Sequence, residues 1–275
     1  MDIKLISFDL DGTFLDDSKS IPERNMQAIE AAAKKGVYIV PATGRTYTGL
    51  PDILKEQPFI RYYITANGSC IYDKMEGRAI YKAMIPLELA MRFYNHLDTL
   101  PVVYDCYMES CGYMSRSMWE QLDEYVPHPH MLRHIKAMRH PVDDLKSYLV
   151  SRGEDLLKMQ MFFKDPLERE RQLEILPGIF PELVCSSSIP GNIEVNILEG
   201  TKGQALSRLC GLLGLDISQS MALGDGSNDR DMIKTAGLGV AMENAEPGLL
   251  SLADYVTAHC NEAGFAQAIE KFVLN

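Results

Sequence analysis

The apolar run from Ile3 to Phe8 is short and closes on Asp9-Leu10-Asp11-Gly12, the pattern of a buried strand entering a tight loop. The period then becomes helical. Met26, Ile29 and Ala33 share one face, Ser20 and Glu23 have capping-box spacing, Pro22 sits in the first turn, and Lys34-Lys35-Gly36 supplies a stop. Val37 to Val40 predicts a second strand ending at Pro41-Ala42-Thr43-Gly44-Arg45, followed by a helix over about Tyr47 to Glu56 and a third strand near Tyr62 to Thr65. This opening reads β-α-β-α-β. Asn67-Gly68, placed between Tyr62-Tyr63-Ile64-Thr65 and Cys70-Ile71-Tyr72, is a hairpin-turn signal because both residues accept positive φ.

From about residue 84 the rhythm changes to a helix over Leu87 to Leu97, Tyr- and Met-rich strand candidates, a polar His/Arg segment and a strand over Lys158 to Lys164. Alternation returns with a helix over Gly203 to Leu213, a strand over Ser220 to Leu223, a helix over Asp229 to Thr235, a strand over Leu238 to Ala241 and a helix over Phe265 to Val273. The pattern predicts an α/β fold, a Rossmann-like, doubly wound parallel sheet core formed by residues 1–83 and 197–275, with an inserted α+β cap domain over 84–196. Short hinges are expected near residues 82–86 and 190–200. In such sheets ligands collect beyond the carboxyl ends of the strands, and Asp9, Thr43 and Asp225 each follow a predicted strand.

At 275 residues and 46% hydrophobic, the chain can bury two cores. Its net charge of -11 and pI near 5.0, with Lys and Arg scattered, argue against nucleic-acid or anionic-membrane partners and favour a small soluble one. An anionic substrate would then have to be held by local cations, a metal or backbone donors. The six cysteines form no Cys-x-x-Cys pair and read as reduced, mostly buried thiols. Met1-Asp2-Ile3-Lys4 leads straight into a strand, and no apolar run approaches ~18 residues, so a cytoplasmic protein is expected.

Four segments carry candidate chemistry. Asp9 and Asp11 sit two apart at a strand-to-loop transition, where both carboxylates can face one cavity and divide the work of nucleophile and proton shuttle; alone, such a pair also describes solvated turn residues. Thr43-Gly44-Arg45 offers a hydroxyl, an unhindered backbone and a guanidinium before a predicted helix N-terminus, a set that suits phosphate and equally describes an αL turn with a capping Thr. Lys202, in Thr201-Lys202-Gly203, opposes the helix dipole, which a nearby anion would explain and an exposed lysine would tolerate. Gly224-Asp225-Gly226-Ser227-Asn228-Asp229 packs two acids and an amide into a Gly-rich loop, suited to magnesium beside a phosphate or to an N-capped turn.

Taken together and in this order, the four segments and Thr65-Ala66-Asn67-Gly68 resemble the haloacid dehalogenase superfamily of phosphatases, in particular its Cof-type subfamily. The resemblance implies a Mg2+-dependent phosphatase acting on a small-molecule phosphate ester such as a sugar phosphate, through a phospho-aspartate. It implies Asp9 as nucleophile and Asp11 as acid/base, with Asp9, Asp11 (through its main-chain carbonyl) and Asp225 as metal ligands. Thr43, Gly44, Lys202 and Asn228 would hold the phosphate, with Arg45 and Asp229 in support, Asp229 through water or Lys202. Phosphomutases of the superfamily share these motifs, and a non-catalytic sensor would lack one of them. Around Ile193 to Gly200 the chain lacks a proline that relatives often carry, and Glu243 stands where a small residue is common.

The remaining features read as structural. His130 and His134, at i and i+4, belong to a polar cap surface; Met159, Met161, Phe162 and Phe163 read as cap core; Trp119 reads as a buried anchor.

Overall fold

The computed structural model describes residues 2–109, 111–187, 189 and 191–275. The chain divides into two compact units, Met1–Lys82 with Glu199–Asn275, and Ala83–Leu198. Pro190, within one expected hinge, and Met1 lie outside the described residues.

In the first unit β1 (Leu5–Phe8) and β2 (Tyr38–Pro41) join β12 (Ser220–Gly224), β13 (Leu238–Ala241) and β14 (Tyr255–Val256) in a parallel sheet ordered β14-β13-β12-β1-β2. Helices cover both faces, so β1 is buried along its whole length and reads as an unbroken apolar run rather than an alternation. On one face Phe8, Phe14 and Phe265 pack as a triangle with ring centroids 4.9 Å apart. On the other, Leu5 and Val40 meet Ala205, Leu206 and Leu209 of the helix Lys202–Leu213. Chain order reverses between β12 and β2 on either side of β1, which opens a crevice beyond the carboxyl end of β1.

Several local expectations are overturned by competing bonds. No capping box forms at Ser20 and Glu23: Asp16 takes the Ser20 N–H on its side chain at 2.9 Å and donates its own N–H to the Ser20 carbonyl, and Pro22 becomes the N-cap of the helix Glu23–Lys34. That helix buries Asn25, Ala28, Ile29 and Ala32, with Met26 and Ala33 only half-buried. Asn25 is drawn inward because its amide bridges the Phe14 carbonyl and the Ala266 N–H.

The stretch Tyr47 to Glu56 breaks into a 3-10 turn, Tyr47–Gly49, and a single helical turn, Asp52–Lys55. Pro51 forces Leu50 into extended backbone (ψ 148°) between them. The third strand, β3 (Tyr62–Thr65), leaves the parallel sheet: it pairs antiparallel with β4 (Cys70–Asp73), which pairs with β5 (Arg78–Lys82), and meets the main sheet through one bridge, Ala42 to Ile64. The β3–β4 turn spans Ala66 to Ser69 rather than two residues, with positive φ at Ala66, Asn67 and Gly68.

The second unit is α+β. Its six-stranded sheet is ordered β10-β11-β9-β6-β7-β8, from β6 (Val102–Met108), β7 (Cys111–Ser115), β8 (Arg139–Val142), β9 (Lys158–Phe163), β10 (Leu183–Ser186) and β11 (Asn192–Ile197). All neighbours are antiparallel except β7 and β8. Met159, Met161 and Phe163 face a core shared with the helices Leu87–Leu97, Leu145–Arg152 and Pro166–Ile179, while Phe162 points into a smaller cluster on the other face. Trp119 is half-buried rather than enclosed, with the Lys136 ammonium 4.4 Å from its ring centre. His130 and His134 lie exposed on the helix Pro129–Ala137.

Candidate active site

Asp9 stands one residue beyond β1, its N–H donating to the Leu223 carbonyl of β12 at 3.0 Å. The chain then winds back, with the Thr13, Phe14 and Leu15 N–H groups all returning to the Leu10 carbonyl. Gly12 makes this possible. Its φ is +85°, and a Cβ there would lie 2.3 Å from Asp225 Oδ2, so any side chain would push the Asp225 carboxylate aside. Asp225 stands one residue beyond β12, and Thr13 Oγ1 donates to its Oδ1 at 2.6 Å.

Lys202, the first residue of its helix, is fully enclosed. Its ammonium donates to Asp9 Oδ1 at 2.8 Å and to Asp229 Oδ1 at 2.6 Å, which accounts for a cation at a positive helix end. Asp229 turns its other oxygen to the N–H groups of Asp225 and Gly226, each at 3.0 Å, and so braces the fourth loop against the lysine. Carboxylate oxygens of Asp9, Asp225 and Asp229 all lie within 4.8 Å of one another, so three carboxylates crowd where one ammonium pairs with two of them.

That imbalance sets the electrostatics. Burial lifts the Asp9 carboxyl to about 7 against the pull of Lys202, and burial together with the neighbouring Asp9 and Asp229 lifts Asp225 to about 8. Burial works against the Lys202 ammonium, but Asp229 and Asp9 outweigh it and keep the lysine charged. Between an unfolded-chain pKa near 3.8 and these raised values the native state holds more protons than the unfolded one. The metal-free protein is therefore expected to lose stability as pH rises from about 4 to about 8, which thermal melts in chelator across that range measure.

Asp11 does not join this cluster. Its carboxylate is gripped by Arg45, with Nε at 3.1 Å and Nη2 at 2.8 Å, and by Lys19 at 3.1 Å. Burial would raise its pKa, but these two cations prevail and hold it below the ordinary carboxylate range. The remaining residues approach from the second and fourth loops. The Thr43 hydroxyl accepts the Arg45 N–H at 3.2 Å, Gly44 lies between them, and the 3-10 turn Tyr47–Gly49 follows in place of the expected helix. Asn228 donates its side-chain N–H to Asn67 Oδ1 at 3.1 Å. Glu243 is exposed.

Three contributors stand outside the expected set. Thr13 was visible only as part of the Asp-Gly-Thr run. Lys19 carried no signal, since its link to Asp11 depends on the turn from Asp16 to Ser20. Asn244 lay beside Glu243; its amide donates to the Gly12 carbonyl at 2.8 Å and accepts from the Cys260 N–H, pinning the loop after β1.

Comparison with known proteins shows the family. The family model for haloacid dehalogenase-like hydrolases matches residues 6–269. The 5-amino-6-(5-phospho-D-ribitylamino)uracil phosphatase of Bacillus subtilis is 34% identical, over 100% of this chain and 97% of that one. Among solved structures, a haloacid dehalogenase-like hydrolase from B. subtilis superposes with a TM-score of 0.84 at 26% identity, covering 98% of this chain and 100% of that one. A sugar phosphatase of subclass IIB superposes with a TM-score of 0.80 at 27% identity, covering 98% of each chain. A match over nearly the whole chain, on a fold that carries four loops to one crevice, places this protein among the haloacid dehalogenase-like hydrolases, within their Cof-type phosphatases.

Proposed function

We propose that this phosphatase hydrolyses small phosphorylated metabolites, sugar phosphates or similar compounds, with magnesium and through a phospho-aspartate on Asp9. The observation that carries this reading is the buried cluster in which one lysine is shared by Asp9 and Asp229 while Asp225 stands beside them. Lys202 occupies Asp9 Oδ1 and leaves Oδ2 to attack phosphorus. The P–O bond to the organic group breaks, Asp11 gives a proton to the departing alkoxide, and Asp11 then takes a proton from the water that hydrolyses the acyl phosphate. Because Arg45 and Lys19 hold Asp11 deprotonated, the acid step requires them to slacken as substrate enters, and the base step suits the geometry as it stands. Thr43, Gly44, Lys202 and Asn228 hold the phosphate oxygens, with Arg45 and Asp229 in support.

The donor set fits magnesium: carboxylate oxygens of Asp9 and Asp225 lie close together with Asp229 beside them, and burial followed by mutual repulsion lifts the Asp225 carboxyl. Asp9, Asp225 and the main-chain carbonyl of Asp11 are the residues that would hold it. When bound, it supplies neutralisation of the phosphate, whose repulsion with a carboxylate at ~4 Å would otherwise cost several kcal/mol at intermediate effective dielectric. Magnesium is expected to raise the melting temperature, by more at pH 8 than at pH 5, because it competes with protons that the raised carboxyls retain at low pH; at a hundredfold excess over Kd the gain is about 2.7 kcal/mol. Equal melting with and without magnesium at pH 8 contradicts the metal site.

The ribitylaminouracil phosphatase and the sugar phosphatase described above act on phosphorylated ribityl and sugar compounds by their names, which supports that substrate class here. The test is release of inorganic phosphate from a panel of metabolite phosphates, with magnesium and with chelator. Release from sugar phosphates that stops in chelator is expected. Labelled phosphate recovered on a second hydroxyl instead of in solution would make the protein a mutase.

A further inference from the structure

Three of the loops assigned above to phosphate binding meet on one turn that the reaction itself does not use. The Ala66 N–H donates to the Arg45 carbonyl at 2.9 Å and the Asn67 N–H to the Thr43 carbonyl at 3.0 Å, which ties the turn to the second loop. Gly68 presses on the third: a Cβ there would lie 2.1 Å from the Thr201 carbonyl carbon and oxygen and 2.6 Å from the Lys202 nitrogen. Asn67 Oδ1 takes the fourth, accepting from Asn228 Nδ2 at 3.1 Å. Three consecutive residues hold positive φ to achieve this, at 50°, 59° and 110°, a conformation that persists only where the surroundings enforce it. Asn67 is 3% exposed, so its amide serves the protein rather than solvent.

We propose that Asn67 is a positioning residue for phosphate binding, orienting the Asn228 amide while its own backbone holds the Thr43 loop. The inference rests on the reading that Asn228 meets the phosphate. Asn228 Nδ2 carries two hydrogens; with one fixed by Asn67 Oδ1, rotation about the amide stem is arrested and the second keeps a single direction. Without that anchor the Asn228 side chain samples other rotamers and meets the phosphate in only a fraction of them. Asn67 thus links the Thr43 loop to Asn228, which lies 161 residues after Asn67 in sequence.

Asn67→Gly separates the amide from the backbone, since glycine keeps positive φ without strain and removes only the carboxamide. The experiment compares Asn67→Gly, Asn228→Ala and the double variant in the full chain, with p-nitrophenyl phosphate as substrate, inorganic phosphate as inhibitor and thermal melting as a check on folding. Asn67→Gly is expected to lower kcat/KM about tenfold and to weaken inhibition by phosphate in the same proportion, as loss of an outer orienting partner does elsewhere. The double variant should be no worse than Asn228→Ala alone, because both changes remove one interaction. A wild-type kcat/KM and phosphate inhibition in Asn67→Gly, or a loss that multiplies in full with that of Asn228→Ala, overturns the proposal. Wild-type behaviour of Asn228→Ala would instead overturn the phosphate-holding role of Asn228 on which it rests.

Discussion

Asp9→Asn is expected to abolish phosphate release, by about 10⁴-fold or more, while leaving the protein folded and at pH 8 as stable as the wild type or more so. The first part follows from the chemistry: an amide oxygen forms no stable acyl phosphate, and no other carboxylate of the cluster has an oxygen in the same place. The second follows from the charge balance. Asp9 is buried with two further carboxylates around one ammonium, so removing its charge relieves repulsion that the metal-free protein otherwise meets by retaining protons. Phosphate release is therefore lost on one preparation while thermal melting at pH 8 holds or rises. Turnover at the wild-type rate would remove Asp9 from the mechanism.

Lys202→Met should damage both properties. The substitution keeps most of the stem and removes the ammonium that Asp9 and Asp229 share, leaving two enclosed carboxylates without their counter-charge. Breaking a buried pair from one side costs about 3–5 kcal/mol, and here the cost grows with pH, because at low pH the stranded carboxyls escape it by taking up protons. Urea unfolding should show a larger drop in midpoint at pH 8 than at pH 5. Turnover should fall about 10²–10³-fold even where the variant is folded, since in the proposed mechanism Lys202 steadies the phosphate. A variant that unfolds like the wild type at both values would mean that Lys202 is not the counter-charge of the cluster.

Where neighbours in sequence decide the outcome, the pattern was sufficient. The helix Leu87–Leu97 and the strand Leu238–Ala241 have the limits their periodicity predicts, because each buries an apolar face or run that is complete within the segment. Expectations failed where two local signals competed or where pairing was distant. Asp16 reached Ser20 before Glu23 could, Pro51 outweighed an otherwise helical stretch, and β3, though it forms the expected hairpin with β4, meets the parallel sheet only at the Ala42–Ile64 bridge.

The active site divides along the same line. The sequence alone determined which residue types stand at the ends of β1, β2 and β12 and in what order, because each motif adjoins the strand that carries it. Only the tertiary structure decided what those residues do to one another. Lys202 and Asp9 are 193 positions apart, and the lysine, odd in sequence as a cation at a positive helix end, becomes the shared counter-charge of two carboxylates once β1 and its helix pack together. The same packing turned Asn67 from a turn former into a contact of Asn228, and tied Asp11 to Arg45 and Lys19 rather than to the other acids. Local backbone preference acts over a few residues, whereas charge pairing acts between whichever groups the fold encloses together, and that enclosure is written in the core rather than in the motifs.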